Sequence, residues 1–248
     1  MPRDVMQTLI DTATPYWDAE AEIARRFFAR AAPQDHVFYL KAQMWKELNP
    51  VDGYFNGLHR ELSRAADMFP KVGRSIDRHD YLFLLEQLVS EYNHYVLLAD
   101  ILEHLLGRRL RKSDLRQLPE EKKLGDLRRR LVSRGGAIGR AAVGFTEGGG
   151  AALFRVGAKL RGSALNEATA KAMKVIWEDE KDHYREQAKT AAALVETPRD
   201  LARMCEAIRA VSDQRVRMRN EMFREPLSPA EIGKFIARRQ KPGARKAA

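Results

Sequence analysis

Two pairs of charged residues interrupt apolar helical stripes, and they constrain this chain more than its composition does. Glu180 and His183 stand three residues apart, so a helix puts them on one face about a turn from each other. That face is otherwise apolar or small: Met173, Ile176, Trp177, Tyr184, Ala188 and Ala191. Glu91 and His94 repeat the spacing on a stripe with Leu84, Leu88, Leu98 and Leu102. A carboxylate and an imidazole aimed into a hydrophobic face are costly unless something pairs them. A metal ion would pair both.

The stripes belong to a chain of helical period throughout. The β-branched runs that mark strands are missing. Amphipathic segments are predicted over about 4–31 and 35–48, separated at Pro33. A turn at Pro50-Val51-Asp52-Gly53 leads into a helix over about 53–69, stopped by Pro70 and Gly73. The next opens near the N-cap Asp77 and closes at Gly107. A polar connection over 107–134 contains a short charged helix around 120–131. Continuous helices follow over about 136–161 and 165–195. Thr197-Pro198-Arg199-Asp200 and Ser228-Pro229-Ala230-Glu231 each place a cap, a proline and an acid where a helix starts. Residues 1–239 read as a single helical domain, with 240–248 a basic disordered tail.

Short turns join 53–69 to 77–106 and 136–161 to 165–195, while about 28 residues join the two pairs. Two hairpins and one long crossover make a ferritin-like four-helix bundle over about 53–195, with extra N- and C-terminal helices. A dimetal site in such a bundle also needs an inward glutamate on each partner helix. Glu61 is a candidate, on a face with Tyr54, Leu58, Ala65 and Met68; as a surface acid it would instead pair with Arg60 or Arg64. Glu147 is the other, beside Val143, Ala151 and Phe154 at helical spacing. Gly148-Gly149-Gly150 after it is either a break or a thinning that makes room for dioxygen or substrate, and helical pattern on both sides favours the thinning. Four carboxylates and two imidazoles form a hard, oxygen-rich set suited to iron or manganese rather than zinc.

The order Glu61, Glu91-x-x-His94, Glu147, Glu180-x-x-His183 resembles the ferritin-like diiron-carboxylate superfamily. The resemblance implies two iron ions (or manganese, or a mixed pair), with Glu91 and Glu180 bridging, Glu61 and Glu147 terminal and one histidine per ion. It makes Asp179 the outer carboxylate that takes the ring N–H of His94, with Ser90 in the equivalent place for His183. It implies a non-haem diiron oxidase or oxygenase acting with O2 on a small organic substrate, with a ferredoxin- or flavin-type reductase as electron donor. A ferroxidase without organic substrate is the alternative.

Composition adds a third reading. The net charge of +10 is uneven: +7 falls within 107–134 and +6 within 233–248, leaving −3 for the remainder. A basic connector and tail suit an acidic partner or nucleic acid, and a helical binding module would use them so. No apolar run reaches the length of a membrane span, no secretory leader precedes Asp4, and the one cysteine, Cys205, excludes an intrachain disulfide. Those features give a cytoplasmic address by default, for a monomer or a homodimer.

Overall fold

A computed structural model describes residues 2–49 and 57–239. The described chain is all-helical, and its one β-type pairing is an isolated bridge between Val72 and Ile76. The helices are α1 (Pro2–Phe28), α2 (Pro33–Leu48), α3 (Leu58–Met68), α4 (Arg78–Leu106), α5 (Pro119–Arg134), α6 (Gly136–Gly144), α7 (Glu147–Gly157), α8 (Ala164–Glu180), α9 (His183–Ala193), α10 (Pro198–Met222) and α11 (Pro229–Arg239). The turn expected at 50–53, the start of the helix expected from 53, Tyr54 and the tail 240–248 lie outside the described residues.

Caps set several of these boundaries. Asp77 accepts from the His79 backbone N–H at 2.7 Å and opens α4, and Gly107, at φ 61°, ends it in the left-handed conformation. Thr197 and Asp200 exchange side-chain and backbone bonds at the start of α10, as do Ser228 and Glu231 at α11.

The core is not confined to 53–195. Tyr16, Ile23 and Phe27 of α1, Tyr39, Leu40 and Met44 of α2, and Val211, Val216 and Met218 of α10 share one buried cluster with Leu98 and Leu102 of α4 and Met173 and Ile176 of α8. By contrast α3, expected as a bundle helix, packs against α4 through a small satellite of Leu58, Ala65, Leu84 and Leu88. The helix that runs beside α4 along the main core is α2.

The connection over 107–134 is built into the protein rather than strung across it. Asp114 is 3% exposed and anchors it, receiving Arg108 at 2.8 and 3.0 Å, the Arg111 backbone N–H at 2.8 Å and Lys41 at 3.0 Å. These bonds hold the Asp114 carboxyl far below the usual carboxylate range. The charged helix is longer than its pattern suggested, and α5 packs on α6 and α10 with Leu124 and Arg128 buried. Part of the basic charge is therefore spent internally, on Asp114 and, through Arg128, on Thr146 at 2.8 Å.

Both helices expected to be continuous after residue 136 are broken. Phe145 and Thr146 separate α6 from α7, and Lys181 and Asp182 separate α8 from α9. At the first break Trp17 Nε1 donates to the Phe145 carbonyl at 3.0 Å, and the Thr146 hydroxyl bonds back to the Val143 carbonyl at 2.9 Å, which bends helices. The three glycines then enter the first turns of α7. They do thin the helix, but the room is taken by protein. A Cβ on Gly148 would meet the Trp17 ring at 2.5 Å, and one on Gly149 would meet Glu20 Oε1 at 2.0 Å. Gly149→Ala is expected to lower stability by about 3 kcal/mol or more in urea denaturation, since it displaces a buried, paired carboxylate. Gly233→Ala, in exposed space on α11, should raise it by up to about 1 kcal/mol.

Candidate metal centre

Two groups of potential ligands meet where α2, α4, α7, α8 and α9 converge. Glu47 of α2 joins Glu91 and His94 of α4, with ligand atoms within 4.8 Å of one another. Glu147, Glu180 and His183 form a second group on the same criterion. His94 links the groups, because its Nδ1 lies 3.9 Å from both Glu91 Oε2 and Glu180 Oε1. Five of the six ligands expected from the sequence are thus brought together.

Glu61 is the exception. It is buried on α3, pairs with Arg64 at 2.8 Å and belongs to neither group. Its place is taken by Glu47, which sequence reasoning missed although the signal was present. Tyr39, Leu40, Met44 and Glu47 fall on one helical stripe, together with His36 and Gln43, and all six are buried. The criterion that singled out Glu180, an acid on an apolar stripe, applies equally to Glu47. Loop lengths alone place α2 ahead of the expected bundle segment 53–195, which hides this signal.

His94 is 1% exposed, and its geometry decides its tautomer. Nε2 lies 3.0 Å from Asp179 Oδ2, and a carboxylate only accepts, so Nε2 is assigned the proton. This is the outer pairing that the resemblance implies. Nδ1 is then an acceptor, buried, with no hydrogen-bond partner. A lone pair facing two carboxylates is stabilised by a cation, either a metal ion or a second proton on the ring. Ser90 does not serve His183: its hydroxyl reaches Asp179 Oδ2 at 3.5 Å, on the His94 side.

The second group sits on helix ends. Glu147 is the first residue of α7, where the positive end of the helix favours a carboxylate. Glu180 ends α8 and His183 begins α9, so the Glu-x-x-His spacing is kept by a tight turn rather than by continuous helix. His183 Nδ1 is 3.4 Å from Glu180 Oε2. The hydrogen bond that His183 donates to Glu180, reinforced by the charges of Glu180, Glu147 and Asp179, outweighs burial and raises His183 to about 9. Burial pushes Glu180 up, but His183, His94 and Lys46 more than offset it and its pKa falls. Glu178 and Asp182 point to solvent, as their off-stripe positions predict.

Behind Glu47 runs a buried polar chain. Gln43 donates to Glu47 and accepts from Arg219, and Arg219 and Arg215 share Glu20 at 3.2 and 2.9 Å. The small cavity of about 70 Å³ between the two groups is lined by all the ligands except His94, and also by Lys46, Arg128, Arg215 and Arg219. It has room for ions and a few small molecules.

No family model and no curated protein matches the sequence. Among solved structures the chain is similar to the crystal structure of a TenA homolog from Pseudomonas syringae pv. tomato str. DC3000. The TM-score is 0.56 and the identity 16%, over 88% of this chain and 92% of that one. The likeness is one of all-helical fold.

Two measurements probe the centre. Glu47→Ala is expected to weaken metal binding at least about 100-fold by metal-competition titration, while Glu61→Ala leaves it unchanged; Asp179→Ala should cost about 10–100-fold. Metal uptake near pH 7.5 should release about one proton, because a ligand imidazole must be neutral and His183 is not. Calorimetry in buffers of different ionisation enthalpy reads that release, which should vanish above about pH 9. In the metal-free protein the same raised pKa makes the His183–Glu180 stabilisation complete below pH 6.5 and lost as the pH rises through about 9.

Proposed function

We propose that this chain is a non-haem dimetal oxidase or oxygenase of the ferritin-like diiron-carboxylate kind, with iron as its metal. The observation that carries this reading is the lone pair of His94 Nδ1, buried without a partner between Glu91 and Glu180. The residues fit a pair of hard cations: Glu47, Glu91 and His94 would hold one, and Glu147, Glu180 and His183 the other. Glu91 and Glu180 each lie 3.9 Å from the same ring nitrogen, so the two groups adjoin, as a pair of ions would need. Departure from the superfamily's order lies in the helix that supplies the first glutamate.

When bound, the metal pair would supply the activation of dioxygen, which protein side chains do not provide. The chain's own groups perform the rest. Asp179 holds the His94 proton at Nε2, which fixes the ring and keeps Nδ1 available. Gln43 orients Glu47 from behind, and the Arg215–Glu20–Arg219 cluster holds Gln43. Phe154 and Gly150 close the α7 side of the cavity. Electrons from a ferredoxin- or flavin-type reductase would complete the cycle.

The cavity's small size favours a second reading, iron oxidation without organic substrate. One experiment addresses both. Metal-free protein titrated anaerobically with Fe(II) should take up about two ions per chain and then consume O2, and Glu180→Ala should abolish both. Uptake well below one ion per chain would sink the metal reading. Oxygen consumption that stops once the added iron is oxidised, even with reductant present, selects the ferroxidase.

A further inference from the structure

Arg215 and Arg219 stand one turn apart on α10, 4% and 0% exposed. Between them they have one carboxylate, Glu20, which takes Arg215 Nε at 2.9 Å and Arg219 Nε at 3.2 Å. Arg219 Nη1 donates to Gln43, and its Nη2 is buried with no partner. A guanidinium cannot shed its charge on burial, so two of them sharing one carboxylate leave an excess positive charge in the interior.

That excess faces the metal cavity. Arg215 and Arg219 line it together with Lys46 and Arg128, opposite Glu47, Glu91, Glu147 and Glu180. Four cations therefore confront four carboxylates in the chain itself. Adding two divalent ions leaves a positive excess even after Glu20, Asp179 and Glu121 are counted with the four lining carboxylates, and uncompensated buried charge is expensive. A purely structural role for the cations, as counter-charges to the ligands, would end when metal arrives. An anion entering with the metal would compensate that excess.

We propose that the cavity binds a small carboxylate anion beside the metal positions, held by the cationic wall that Lys46 and Arg219 form on α2 and α10. This rests on the dimetal reading and narrows its substrate class to small organic acids. The planar edge of a guanidinium matches the two oxygens of a carboxylate. A cavity of about 70 Å³ admits a group the size of formate or acetate beside the ions.

Arg219 is fully buried and its loss threatens folding, so the partly exposed Lys46 carries the test. Full-length protein loaded with Mn(II) is titrated with formate at constant ionic strength, and paramagnetic broadening of the formate proton is followed by NMR. Wild type is expected to show saturable broadening with about two manganese ions per chain. Lys46→Gln should bind formate at least about tenfold more weakly at unchanged metal content, and Lys46→Arg should restore binding. Full metal uptake with no broadening, or with the same affinity in Lys46→Gln, overturns the anion site and leaves the metal reading standing. Absence of metal uptake overturns both. Inorganic phosphate displacing formate with equal potency overturns the assignment to a carboxylate.

Discussion

The structure depends on a buried network of charges tied together by hydrogen bonds. Glu20, Arg215, Arg219 and Glu47 are each under 5% exposed and come from three helices widely separated in sequence. Removing any one would leave its partners charged in a poorly hydrated interior, a loss of about 3–5 kcal/mol for such pairs. The network therefore fixes where α1, α2 and α10 sit relative to one another more sharply than apolar contact could. Apolar packing tolerates sliding by a fraction of a turn, whereas a shared carboxylate does not. The glycines of α7 belong to the same arrangement, because they let Glu20 come against that helix.

What was legible in the sequence follows from how its signals arise. Helical class, the caps at Asp77, Thr197 and Ser228, and the inward placement of Glu91, His94 and Glu180 are local properties, set by spacing of three or four residues. Such properties survive whatever the tertiary arrangement turns out to be. The identity of the partner helices is not local. Glu61 and Glu47 occupy similar stripes, and only the packing of α2 rather than α3 along the main core separates them. Loop length favoured α3, because a short turn makes neighbours of two helices without making both part of the core.

The helix breaks were illegible for a related reason. Nothing in the residues around Phe145 or Lys181 forbids helix, and the pattern runs through both points. The break at Phe145 is made by Trp17, more than a hundred residues away, which takes the carbonyl as a hydrogen-bond acceptor. The arginines were visible as charges on an apolar stripe of α10, alongside Met204, Ile208, Val211 and Met222. A charge on such a stripe signals a buried partner as clearly when it is basic as when it is acidic.

The break between Glu180 and His183 has a mechanical consequence. Glu91 and His94 are carried in the middle of the long helix α4, while Glu47 lies in the last turn of α2, Glu147, Glu180 and His183 are carried on three helix termini, and the His183 side chain is 39% exposed. Groups on regular helix move with the body of the protein, and groups at termini move with local fraying. The centre is therefore asymmetric in stiffness although its two ligand sets are chemically alike. The mid-helix pair on α4 is the fixed part of the centre, and the turn between α8 and α9 is where its geometry depends least on regular helix.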